Sequence, residues 1–259
     1  ASLFRSIVKI KYLTIAHSNL MGISLDNTSI NTSSMPKIED SSNFSIEVEN
    51  LKLNLLSGSK VQHLLNFPNC IVCSKLQFLD LAYNNINDES FVNIKLPEQL
   101  VSLNLANNDI TELHLDSEFP KGLKILNASN NKIMKISSSG EFSDLTRMDL
   151  SCNLLKNIEQ LSQFHNLEVL DLSRNLITQV LPLKLPKLHY LNLEGNYIPA
   201  FFQDLSQLRA CLPPILEVLD ISYCMIKNIP VNLEDIMKEW KRPSLKKLTL
   251  ENRMFYFQN

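Results

Sequence analysis

His63, Cys70 and Cys73 come nearest to a metal-binding arrangement in this chain, a Cys-x-x-Cys pair with an imidazole upstream. Structural zinc takes four such donors, and no fourth one falls at ligand spacing, so no metal is expected. The glycines Gly22, Gly58, Gly122, Gly140 and Gly195 are scattered and build neither a phosphate-cradling loop nor a dinucleotide fingerprint. No cofactor or small-molecule substrate is therefore expected. The histidines, His17, His63, His114, His165 and His189, have no nucleophile or base at a motif spacing, and the chain is read as non-catalytic. The chemistry that remains is non-covalent recognition. Its candidates are aromatic, aliphatic and charged side chains: Phe78, Tyr83, Ile125, Arg147, Asp149, Val169, Asp171, Arg174, Tyr190, Glu194, Asp220 and Tyr223.

What could present those residues together is an internal repeat. LEVLDLSRNLI from Leu167 sets the template L-x-x-L-x-L-x-x-N-x-L, which recurs from Leu76, Leu100, Leu123, Leu145, Leu188 and Leu216. Looser copies start at Ile10, Val48 and Leu245. The regular starts and the last copy lie 24, 23, 22, 22, 21, 28 and 29 residues apart. Repetition at this period with this apolar pattern is the leucine-rich repeat signature. Positions four and six alternate as a strand does, so their side chains go inward and their neighbours outward. A strand this short cannot bury its apolar face alone, and successive copies must stack as parallel strands into a curved solenoid. The fold class expected is α/β: a parallel sheet on the concave face, with short helices, 3-10 turns and loops on the convex face.

At position nine stand Asn84, Asn108, Asn131, Asn153, Asn175 and Asn196, with Cys224 in the last regular copy. There the chain leaves the strand and exposes backbone groups that an amide can satisfy, so a structural ladder of asparagines is expected. Position three reads Tyr12, Phe78, Ser102, Ile125, Arg147, Val169, Tyr190, Val218 and Lys247. Position five is Asp, Asn or Thr, and position seven, which includes Ala82, Ala106, Ser129, Ser151, Ser173, Glu194 and Ser222, is expected to be a third outward column. Ten strands at ~4.8 Å spacing give a surface roughly 45 Å along its arc, enough for a folded protein or an extended peptide. Aromatics on a water-facing strand have no core to fill and are enriched at binding hot spots.

One domain is expected over residues 1–259. Irregular repeats fill 1–75, with a surface loop at about 26–45; regular repeats fill 76–226; a helix and a last strand fill 227–259. Phe201, Leu205, Leu208 and Leu212, and Leu233, Ile236, Met237 and Trp240, are spaced for one apolar helix face each.

The unit from Leu145 continues with Ile158, Leu161 and Phe164, and in this it resembles the intracellular 22-residue class of leucine-rich repeats found in phosphatase regulators, an snRNP subunit and centriolin-like scaffolds. Residues 191–220 resemble the C-terminal cap of that class, with Tyr197 at its usual Pro position and two further units beyond. The resemblance implies an adaptor or scaffold that binds a protein or peptide on its concave face, in signalling, cytoskeletal or cell-cycle organisation. A phosphatase regulatory subunit, a receptor ectodomain and a bacterial effector recognition domain are the alternatives.

A net charge of −2 and a pI near 6.3 give no reason to expect nucleic acid. No apolar run is long enough to cross a bilayer, and a monomer or a piece of a larger chain is expected. Cys70, Cys73, Cys152, Cys211 and Cys224 are odd in number and form no terminal disulfide caps, which points to a reducing, cytoplasmic compartment, with the nucleus or a spindle pole as variants.

Overall fold

The computed structural model describes residues 6–16, 23–25, 28–30, 44–54, 71–72, 75–116, 119–140, 142–180, 182–201, 210–227, 244–250 and 253–256. Its strands are β1 (Ser6–Ala16), β2 (Ile23–Leu25), β3 (Thr28–Ile30), β4 (Phe44–Asn54), β5 (Ile71–Val72), β6 (Phe78–Asp80), β7 (Ser102–Asn104) and β8 (Glu112–Leu115). They continue as β9 (Ile125–Asn127), β10 (Lys135–Ser138), β11 (Arg147–Asp149), β12 (Val169–Asp171), β13 (Tyr190–Asn192), β14 (Val218–Asp220), β15 (Lys247–Leu250) and β16 (Arg253–Tyr256). Fourteen of them form one sheet, in the order β16-β15-β14-β13-β12-β11-β9-β7-β6-β4-β1-β2-β3, with β5 beside β4.

From β1 to β15 the long row pairs in parallel and in register, so position three of one unit lies beside position three of the next: Phe78 by Ser102, Ser102 by Ile125, and on to Val218 by Lys247. The weak copy at Val48 is a full member, its Asn50 sitting between Tyr12 and Phe78.

The leucines of positions one, four and six, and the Ile or Leu of position eleven, are buried in a single continuous cluster running from Leu51 to Leu250. On the far side of that cluster Phe91, Phe119, Phe142 and Phe164 stack edge-on or tilted, with ring centroids 6.3, 6.0 and 5.9 Å apart. This aromatic spine fills the wider convex side, where the returns are too irregular to pack leucine on leucine.

The asparagine ladder is present. Asn175 Nδ2 donates to Leu150 O at 2.9 Å and Leu172 O at 3.1 Å, while its Oδ1 accepts from the Leu155 N–H at 3.0 Å. Asn108, Asn131, Asn153 and Asn196 repeat the pattern, each tying its own turn to the unit before it. Cys224 fills the slot with a different wiring. Its Sγ donates to Leu193 O at 3.0 Å, and its backbone carbonyl, not a side chain, accepts the Ile198 N–H at 2.9 Å. Burial pushes the thiol up to about 11, so it stays protonated and can donate.

Position seven is not an outward column. Ala82, Ala106, Ser129, Ser173 and Ser222 are buried, because the position-five side chain folds over to accept the position-seven N–H: Asp80 from Ala82, Asn104 from Ala106, Asn127 from Ser129, Asp149 from Ser151, Asp171 from Ser173, Asn192 from Glu194 and Asp220 from Ser222. These Asx turns bend the chain inward just after the strand, which small residues permit. Only Ser151 and Glu194 remain half-exposed.

On the convex side, α1 (Asp88–Val92) starts with a reciprocal Asn87–Ser90 capping box, and β8 pairs with β10 in a separate parallel sheet. Burial works against the Asp88 carboxylate, yet hydrogen bonds from the Thr111 hydroxyl and the Thr111 and Glu112 N–H groups hold it below its usual range.

The ends depart from expectation. Part of the 26–45 segment is strand: β3 pairs antiparallel with β2, and β4 begins at Phe44. The β-branched Thr28 and Ile30 suit a hairpin, and residues 31–43 lie outside the described set. Residues 191–220 do not end the solenoid, since β15 and β16 extend the sheet beyond them, as the two further units in the sequence require. After Leu250 the chain reverses into antiparallel β16 in place of another turn. Here position five is Thr249, whose hydroxyl is buried without a hydrogen-bond partner, so the Asx device of the seven regular units is missing. The predicted apolar helix faces around residues 202–209 and 228–243 lie outside the described residues, although Phe201 and Leu212 at their margins are buried.

Leu170→Ala, which opens a cavity in the core, is expected to lower stability by about 2–5 kcal/mol in urea unfolding. Asn175→Ala leaves the buried Leu155 N–H without its acceptor and is expected to destabilise by about 3 kcal/mol, against a few tenths for the exposed neighbour Leu176→Ala.

Candidate recognition surface

Two backbone devices set which side chains face water. The first is the strand alternation, which turns position three outward: Phe78, Ile125 and Arg147 are exposed, and Val169 and Tyr190 half-buried. The second lies at position eight, where every regular unit adopts positive φ: Tyr83 61°, Asn107 56°, Asn130 52°, Cys152 55°, Arg174 53°, Gly195 69° and Tyr223 55°. The N–H of that residue donates to the next unit's position-seven carbonyl, as Tyr83 does to Ala106 and Arg174 to Glu194. Asn and Gly take this conformation readily, whereas Tyr, Arg and Cys hold it with some strain, imposed by the ladder on both sides. Gly195 is further confined, because a Cβ there would stand 3.2 Å from Arg174 Cγ.

Of the predicted residues, the structure brings together a C-terminal group. Arg147, Val169, Tyr190 and Val218 are cross-strand neighbours in one row, with Asp149 and Asp171 side by side in the next. Burial first, then the negative field of Asp171, Asp220, Asp149 and Glu194, holds the Tyr190 phenol above its ordinary value. Arg174 pairs with Glu194 at 3.7 Å. Phe78 lies five strands from Tyr190, ~24 Å along the row, with Ile125 between them. Tyr83 and Tyr223 stand at the first and last regular turns, both exposed, and do not converge.

The Asp149, Asp171 and Asp220 carboxylates each spend one oxygen on an Asx turn and are half-buried, so at most one oxygen of each faces a ligand. Asn192 also bonds Asp171 Oδ2, at 3.0 Å.

Two sets of surface residues were not legible in the columns read from sequence. Asn50 belongs to the position-three row, masked by the weak Val48 copy. Position ten carries exposed Leu154, Leu176, Tyr197 and Met225, which reading that column down the aligned units would have found.

On the convex sheet, His114 Nδ1 lies 2.6 Å from Ser137 Oγ and its Nε2 3.2 Å from Glu112. That line follows from register alone, since Ser137 faces His114 and Lys135 faces Glu112 across two strands. His114 is exposed there, and Glu112 and Ser137 are half-exposed. No group of three metal-ligating side chains occurs among the described residues; His63, Cys70 and Cys73 lie outside them. No described helix is long and apolar enough to cross a membrane.

A curved parallel sheet whose units are tied by an asparagine ladder and whose strand face is open to solvent defines the class. Family models described as leucine-rich repeat match residues 143–198 and 72–92. Comparison with curated proteins finds no match. Among solved structures, the chain is similar to an internalin, InlF, from Listeria monocytogenes, at 17% identity and TM-score 0.51, over 79% of this chain and 62% of that one. It is similar to the APL1 leucine-rich repeat domain at 20% identity and TM-score 0.51, over 82% and 55% of the two chains. The functional domain of InlJ from Listeria monocytogenes, which includes a cysteine ladder, matches at 22% identity and TM-score 0.50, over 85% and 51%. The chain thus spans between half and two thirds of the length of these proteins, and the likeness is one of fold. The fold is a leucine-rich repeat solenoid, and repeats of that family are matched directly over residues 143–198 and 72–92.

The field at Tyr190 can be read directly. Asp220→Asn is expected to lower the Tyr190 transition towards the ordinary tyrosine value, in an ultraviolet pH titration in which Tyr190→Phe assigns that transition.

Proposed function

We propose that this protein is a non-catalytic adaptor that captures a partner protein or peptide on its concave strand face. Leucine-rich repeat domains generally mediate protein–protein contact, and solenoids offer extended concave surfaces for it. The observation that carries the reading is the exposed Phe78 and half-exposed Tyr190 on a strand face whose own core is already full. Tyr83 and Tyr223, held at strained turns, add two further exposed rings at the first and last regular units. Phe78, Tyr83, Ile125, Val169, Tyr190 and Tyr223 supply the apolar anchors; Arg147, Asp149, Asp171, Arg174, Glu194 and Asp220 set orientation and partner charge.

In this proposal the chain works as one domain, with the regular repeats of 76–226 as its binding region. It acts inside a cell in signalling, cytoskeletal or cell-cycle organisation. Cys152, Cys211 and Cys224 are free thiols, which supports a reducing compartment. Masses under reducing and non-reducing conditions, together with glycan analysis, separate this from a secreted ectodomain.

The test is crosslinking capture from cell extract by wild type against Phe78→Ala/Tyr190→Ala/Tyr223→Asn. Asn tolerates positive φ, so the last change removes a ring without straining the turn. The triple variant is expected to stay within about 1 kcal/mol of wild-type stability and to lose the partners that wild type captures. Undiminished capture, or a variant that no longer folds, contradicts the assignment.

A further inference from the structure

The ties between neighbouring units are not equal along the row. From the unit at Leu76 to the unit at Leu188, every junction is closed by an amide that works in both directions. At the last of them Asn196 Nδ2 donates to Leu172 O at 2.9 Å, its Oδ1 accepts from the Ile177 N–H at 3.0 Å, and it answers Leu193 O of its own turn at 2.8 Å. Between the units at Leu188 and Leu216 the ladder slot holds the Cys224 thiol. It has one hydrogen, a weak donor given to Leu193 O at 3.0 Å, and nothing left for the carbonyls of its own turn. The same unit carries two left-handed residues, Tyr223 at φ 55° and Met225 at φ 51°, where each unit from Leu100 to Leu188 carries one. Neither is a residue that takes this conformation without strain. Beyond it, Thr249 lacks the Asx turn, and position nine is Arg253, already inside antiparallel β16. The ladder stops at Cys224.

We infer that the solenoid has a built-in break at the junction between the units at Leu188 and Leu216, where β14, β15 and β16 open away from β13 while the units up to Leu188 stay folded. In a stacked row each unit is held only by its neighbours, so the weakest junction sets where the row parts. Such an opening needs less free energy than global unfolding and is populated under native conditions. Its consequence rests on the concave-face reading and concerns how that face is regulated. Val218, Asp220 and Tyr223 belong to the opening part, whereas Phe78, Ile125, Arg147, Val169 and Tyr190 stay on the folded row. A partner that spans both parts must close the junction. Its apparent affinity is therefore reduced by the fraction of closed molecules, and whatever stabilises the closed junction tightens binding.

Native-state hydrogen exchange of the full chain at low urea reads the break without any partner, so its failure is separate from failure of concave-face capture. Leu193, Gly195 and Ile198 donate across this junction to Asp220 O, Ser222 O and Cys224 O, while Leu150, Cys152 and Leu172 donate across the two junctions before it to Asp171 O, Ser173 O and Asn192 O. The first set is expected to exchange at least about tenfold faster than the second, with Leu172 close to Leu150. Cys224 is buried, with its thiol pushed up to about 11, so N-ethylmaleimide reaches it only in the open form. Its alkylation, mapped by peptide mass, is expected to rise with urea in parallel with Leu193 exchange. Cys224→Asn restores the amide and is expected to slow exchange at Leu193 and Ile198 by about tenfold, leaving Leu150 unchanged. Equal exchange in the two sets, or even steps from junction to junction as simple end fraying gives, overturns the inference. So does a folded Asn variant that exchanges as wild type. If that variant does not fold, the wild-type exchange pattern and the Cys224 alkylation decide the case.

Discussion

The whole architecture hangs on how the chain leaves a three-residue strand. A turn into the core carries backbone N–H and C=O groups away from water, where each unpaired group costs roughly 1–3 kcal/mol. One amide side chain per unit answers several of them at once: Asn153 Nδ2 donates to Ala128 O and Leu150 O, and its Oδ1 takes the Ile133 N–H. Because those partners belong partly to the preceding unit, no unit is satisfied until its neighbour is in place. Stacking is therefore enforced by hydrogen bonding as well as by leucine burial, and the row can neither shift register nor skip a unit.

The same accounting divides the surface into residues that hold the frame and residues left over for a partner. Position five looks like an acidic recognition column, yet its side chains are committed to Asx turns, and position seven is drawn inside with them. What remains free to vary is position three on the strand face, position eight at the left-handed turn, and position ten on the rim. Aromatic and charged residues accumulate at those three positions because neither the core nor the ladder uses their side chains, although at position eight the backbone itself is constrained to positive φ.

This division explains which features were legible in the sequence. The repeat, the parallel register, the buried Leu columns and the asparagine ladder follow from periodicity, since each is set by residues at fixed offsets. Placing position seven outward came from extending strand alternation two residues past the strand's end, where the Asx turn already governs direction. Cys224 was recognisable as a slot-filler, but the substitution of its own carbonyl for the missing amide oxygen needed the coordinates. The phenylalanine spine was seen only at Phe164, because the other rings come from returns of unequal length. At the ends, β3 and β16 break the repeat, so a repeat template had no purchase on them. As for the site, the side chains of position three were legible one by one. The gathering of carboxylates around Tyr190 and the rim at position ten arise from units stacked in space.

Native-state hydrogen exchange at the amides of Ile110, Ile133, Leu155 and Ile177 tests the dependence on the ladder most directly, since these N–H groups bond only to the amide oxygen of the next unit's asparagine. The account predicts that they exchange among the slowest amides of the chain, and that Asn153→Ala speeds exchange at Ile133 far more than at Ile177. Exchange at the rate of exposed loop amides, or an equal response at both sites, would contradict it.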